Sequence, residues 1–100
     1  MSNITVRHAV AADLSQLARL AELDSATPPR GPALVAEADS RMLAALPLGS
    51  GRPIADPFEP TAEIVALLQL RAEQLNESDR ARRGLGERLR SWLRARPSHA

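Results

Sequence analysis

Apolar and polar residues alternate at the start of the chain. Ile4-Thr5-Val6-Arg7 is rich in β-branched side chains at a period of two, which predicts a strand with Ile4 and Val6 facing a core. The period then changes. Asp13, with Gln16 three residues on, forms a capping-box signature, and Leu14, Leu17, Ala18 and Ala21 recur at helical spacing. A helix is expected from Asp13 to about Asp24-Ser25. Thr27-Pro28-Pro29-Arg30-Gly31-Pro32 must be a loop, because its prolines and glycine cannot propagate a helix. Residues 33–38 and 41–46 read as two strands, with Asp39-Ser40 as the tight turn between them. Gly would suit the second turn position better than Ser40. Gly49-Ser50-Gly51 marks another turn, and residues 53–56 a short fourth strand.

The most regular stripe comes next. Ile64, Val65, Leu68, Ala72 and Leu75 predict a helix that starts at Pro60 or Thr61 and runs to about Asn76, with Glu63 placed well for the helix dipole. Residues 79–83 read as a polar break. Leu85, Leu89, Trp92 and Leu93 then suggest a short basic amphipathic helix, its start weakened by Gly84 and Gly86 by roughly 1 kcal/mol each relative to Ala. The expected fold is α+β: a small three- to four-stranded, mainly antiparallel sheet packed with two main helices. Residues 1–78 make the domain, and residues 79–100 an Arg-rich C-terminal tail.

Composition changes this picture in two ways. Among 100 residues only Phe58 and Trp92 are aromatic, so the core must be aliphatic. Charge is uneven: six arginines face ten acidic residues up to Ser78, whereas seven arginines face two acidic residues from Asp79 onward. A net charge of +1 thus hides an acidic body and a basic tail. There is no Lys, and the weight of Ala, Arg, Leu and Pro fits a GC-rich bacterial genome. There is no Cys, which removes disulfides, thiolate metal sites and cysteine nucleophiles. With no signal-peptide pattern at the start and no apolar run near the ~20 residues of a membrane span, the reading is cytoplasmic.

Candidate chemistry is sparse. His8 and His99 have no ligand at metal spacing. Ser15, Ser25 and Ser40 sit in no nucleophile elbow, and read as helix face, helix end and turn. Asp56, Glu59 and Glu63 read as turn and first-turn carboxylates rather than an acid/base set.

Ile4-Thr5-Val6-Arg7 followed by Ala11-Ala12-Asp13, and Leu34-Val35-Ala36-Glu37-Ala38-Asp39 followed by Leu43-Ala44-Ala45-Leu46, resemble the opening strand, helix cap and central hairpin of the GNAT N-acetyltransferases. The resemblance covers roughly residues 3–56 and implies a relative of the N-terminal half of that fold. It also implies where acetyl-CoA would sit: on a Gln/Arg-x-x-Gly-x-Gly/Ala turn after the fourth strand. Here that stretch is Asp56-Pro57-Phe58-Glu59-Pro60-Thr61-Ala62-Glu63, with no Gly, two prolines and three carboxylates. The family's tyrosine acid has no counterpart, since the chain contains no Tyr. The resemblance therefore implies a truncated, degenerate relative.

Three functions follow as expectations. The leading one is a non-catalytic interaction or structural module with no cofactor, catalytic residue or metal. It is a homodimer, or binds a protein partner, through residues 42–56 and the 61–76 helix. The second is an acyl-CoA-binding protein or weak acetyltransferase, with Arg82, Arg83, Gly84 and Gly86 as a displaced phosphate turn for acetyl-CoA. The third uses Arg88, Arg90, Trp92 and Arg94 to contact nucleic acid, an anionic membrane or another anionic partner.

Overall fold

A computed structural model describes residues 3–49 and 51–95. Its four strands are β1 (Thr5–His8), β2 (Ala33–Ala38), β3 (Arg41–Pro47) and β4 (Ile54–Ala55). They form one antiparallel sheet in the order β1-β2-β3-β4. A 3-10 turn, Ala11–Asp13, leads into α1 (Leu14–Leu23), and α2 spans Ala62–Ala95. The α+β class, the antiparallel sheet and the two main helices are those the residue pattern predicts.

The sheet is covered on both faces. On one, Leu17, Leu20 and Ala21 of α1 pack on Val35, Met42, Ala45 and Ile54. On the other, Leu68 of α2 packs on Leu34, Ala36, Ala44 and Leu46, with Val6, Ile64, Val65, Ala72 and Leu75 around it. Burial on both sides explains why β2 and β3 read as near-continuous apolar runs rather than strict alternation.

An irregularity in β3 changes which face one of its residues meets. Ala36 pairs with Ala44 and Glu37 with Met42, leaving Leu43 as one extra residue. This bulge turns Met42 toward α1 while Ala44 and Leu46 face α2. The helix α1 supports it directly. Gln16 accepts the Met42 N–H at 2.9 Å, and Arg19 donates to the Met42 carbonyl at 2.9 Å. Gln16 thus serves the bulge rather than a capping box at the start of its own helix.

Two other expectations change. The strand β1 begins at Thr5, so Ile4 lies before it and is exposed, while Val6 alone joins the core. In α1 the buried set is Leu17, Leu20 and Ala21, with Leu14 exposed, because the sheet lies nearer the Leu20 side than the stripe suggested. In segment 42–56, Met42, Ala44, Ala45, Leu46 and Ile54 are buried under the chain's own helices, and Leu43 is half-buried.

The largest departure is α2. No break occurs at residues 79–83, and the basic segment continues the same 34-residue helix. Polarity alone does not stop a helix. From Ala66 to Ala95 there is no proline and no β-branched residue, and Asp79 stands four residues before Arg83, a favourable helical pair. No residue after Leu75 belongs to either core cluster. The last twenty residues of α2 therefore project as an arm of about 30 Å at 1.5 Å per residue. The arm accounts for the elongated outline, 69 × 27 × 21 Å. The proposed boundary between a domain and a separate tail falls inside one element.

Candidate interaction surface

The arm carries the residues singled out for binding a phosphate or another anion. Arg82, Arg83, Gly84 and Gly86 lie in the helix interior, where each N–H is bonded to the carbonyl four residues back. A phosphate-binding turn needs free N–H groups at a helix start, with a strand leading into it. Neither is present here, and the two grooves beside α2 are lined by other residues. Gly84 and Gly86 have nothing within 4 Å of an added Cβ, so no neighbour demands glycine at either position.

Beyond them, Arg88, Arg90 and Trp92 are exposed. Leu85, Leu89, Trp92 and Leu93 are each more than half exposed. At 100° per residue these four form one stripe along the arm, with Arg88 on one flank and Arg90 on the other. The backbone of Arg94 is helical, and its side chain lies outside the described residues, as do His99 and the last residues of the predicted tail.

The start of α2, where the acetyltransferase resemblance would set acetyl-CoA, is occupied by carboxylates and their partners. Asp56 is fully buried. It accepts Arg41 Nη2 at 3.0 Å and the Phe58 N–H at 2.9 Å. Arg41 also reaches Glu59 at 3.8 Å, and Glu63 lies in the first turn of α2. Pro57 and Pro60 carry no N–H, so the loop offers few donors to an anion. Asp56, Glu59 and Glu63 act as turn and first-turn carboxylates, and an acid/base set is not assembled.

Two grooves flank α2. The larger, about 930 Å³, lies where the Pro-rich loop meets the segment between β3 and β4. Pro28, Pro32, Pro47 and Pro53 are among its walls, with Arg30 and Arg52 beside them. It is open and built from loops, and no polar side chain within it is left buried and unsatisfied. The smaller, about 370 Å³, lies beside Ile64. Its apolar lining is Ile4, Ala38, Leu43, Pro60 and Ile64, and its polar rim is Asp39, Arg41 and Glu59.

One polar cluster was not legible in the pattern. Arg7 donates to both oxygens of Asp13 at 2.8 Å and to both oxygens of Glu37, at 3.0 and 3.2 Å. Asp13 also accepts the Val10 N–H at 2.7 Å, closing the 3-10 turn backward instead of capping α1. These bonds hold Asp13 down to a pKa of about 2 and raise Arg7. All the groups are satisfied by one another, so the cluster ties β1, β2 and α1 together rather than presenting chemistry. His8 is exposed, and among the described residues no group of His, Cys, Asp and Glu could hold a metal ion. Ser15 lies on the exposed face of α1, while Ser25 and Ser40 are backbone turn residues with positive φ. No helix among the described residues is long and apolar enough to cross a membrane.

Compared with known proteins, the chain matches no family model, no curated protein and no solved structure.

Proposed function

We propose that this chain is a non-catalytic, GNAT-like interaction module of the cytoplasm that works as a homodimer. Its contacts lie in segment 42–56 and the 61–76 helix, where Leu43 and Ile64 are half-buried and Leu67 is exposed. The observation that carries the reading is the entry to α2. Asp56, Glu59 and Glu63 with Pro57 and Pro60 stand where an acetyltransferase would offer backbone N–H groups to a pyrophosphate. Carboxylates at that point repel phosphate, and the prolines remove donors. Absence of Cys throughout the chain accords with a reducing compartment.

Calorimetric titration with acetyl-CoA, at low and moderate salt, tests the reading. No heat at either salt is the expected result. Micromolar binding that disappears in the Arg82→Ala/Arg83→Ala variant would overturn it in favour of an acyl-CoA-binding protein.

A further inference from the structure

The apolar stripe on the arm and the smaller groove beside Ile64 lie at opposite ends of the same helix, and they have matching chemistry. The stripe is Leu85, Leu89 and Leu93, flanked by Arg88 and Arg90. The groove is Ile4, Ala38, Leu43 and Ile64, rimmed by Asp39 and Glu59, with Glu63 in the adjoining helical turn. Three residues beyond Ile64 on α2, Leu67 is 44% exposed. A single chain does not bring the two together, because they are separated along one continuous helix.

The helix sequence has a further regularity. On the face turned about 80° from Leu68 lie Ile64, Leu67, Arg71, Gln74, Ser78, Arg82, Leu85, Leu89 and Trp92. Leu67 and Leu89 are equidistant from Ser78, and so are Arg71 and Leu85, Gln74 and Arg82, and Ile64 and Trp92. The spacings between these positions alternate mainly between three and four, the seam of two packed helices.

We infer that two copies of this chain pair their α2 helices antiparallel about Ser78, each arm covering the groove and the Ile64–Leu67 face of the other copy. This rests on the dimer reading above and names its geometry. Leu89 meets Leu67, and Leu85 meets the aliphatic stem of Arg71. The far end of the stripe meets Ile64 and Leu43. Gln74 and Arg82 fill the polar middle. Charge fixes the direction. The arm is basic and the groove rim is acidic, so antiparallel pairing lays the arginine-bearing arm of one copy along the end of the other that carries Glu59 and Glu63. A parallel pair would set arm against arm, with arginines facing arginines. An isolated helix of the arm's length with two glycines is marginal in water, and the second copy supplies the packing that holds it. A two-fold axis makes the contact self-complementary and closed at two chains.

The native chain has no Cys, so engineered ones report contacts cleanly. Sedimentation at tens of micromolar is expected to give the mass of two chains. Under mild oxidation, Ser78→Cys is expected to form a covalent dimer. Leu67→Cys and Leu89→Cys should cross-link when mixed and not alone, because like positions lie roughly 33 Å apart in the pair. Leu89→Asp lies outside the core and should leave the melting of the body unchanged, while weakening association by at least about tenfold. A dimer that survives Leu89→Asp, or in which Leu67→Cys cross-links with itself, overturns the arm pairing while leaving a dimer. A single-chain mass at every concentration overturns both the pairing and the dimer reading. A monomer that pellets with anionic vesicles would do so too, and would assign the arm to a membrane surface.

Discussion

Arg7 holds Asp13 through two guanidinium bonds of equal length, 2.8 Å to each carboxylate oxygen, with Asp13 almost wholly buried. The pair joins strand β1 to the turn before α1, and Glu37 adds β2. Hydrogen bonding to Arg7, then to the Val10 N–H, lowers the Asp13 pKa from 3.8 to about 2. The folded form therefore prefers the ionised carboxylate more than the unfolded form does. The resulting stability is fully present above about pH 4 and is lost as pH falls through about 2. Arg7 is a third exposed, so the loss should be on the order of 1–2 kcal/mol after solvent screening. Urea midpoints measured from pH 5 down to pH 2 check this. In Asp13→Asn that part of the acid slope should be flattened.

Asp56 is expected to matter more to folding than any other carboxylate in the second half of the domain. It is fully buried, anchors Arg41, and turns the chain through the Phe58 N–H. Asp56→Ala would break both bonds and leave a polar hollow, costing about 2–3 kcal/mol. A denaturant titration reads it. A loss below about 0.5 kcal/mol would mean that the buried carboxylate is replaceable.

Two serines hold backbone conformations that suit glycine. Ser40 has φ of 66° in the hairpin turn. Ser25 has φ of 51° just after α1, where the Ala26 N–H reaches the Ala21 carbonyl at 2.8 Å and closes the helix. L-residues pay a steric cost in this left-handed region. Ser40→Gly and Ser25→Gly should each raise the melting temperature by a few degrees, corresponding to roughly 0.5–1 kcal/mol. An unchanged or lower value for both would mean that the side chains offset the strain.

Gly84→Ala and Gly86→Ala should strengthen the arm by about 1 kcal/mol each, because an added Cβ meets nothing at either site. Far-UV circular dichroism would show a gain in helical signal with the melting of the sheet unchanged. Reduced helicity would mean that the glycines are required where they stand.

The elements legible in the sequence are those with a strong local cause. The hairpin was readable because Asp39-Ser40 sits between two apolar runs, and the core face of α2 because Ile64, Val65, Leu68, Ala72 and Leu75 recur at one period. The bulge at Leu43 was not readable, since its support comes from Gln16 and Arg19 on a helix distant in sequence. The same holds for Arg7, whose partners are brought in by pairing with β2 and by the fold-back of Asp13. The arm is not legible because its polarity resembles that of a loop, although polar residues without proline or β-branching extend a helix readily. The candidate site shows the same division. Its stripe was visible from periodicity, and its acidic groove was not, because Ile4, Leu43 and Ile64 meet only after folding.

Mechanically, α2 is a beam clamped at one end. Its first turns are bolted to the sheet by Leu68 and its neighbours, and the remainder is a cantilever outside both core clusters. A load applied near Leu93 bends the beam along its free length, and the turn holding Gly84 and Gly86 has the least side-chain bracing. Bending should therefore start at that turn, and the tip can swing while the sheet keeps its shape.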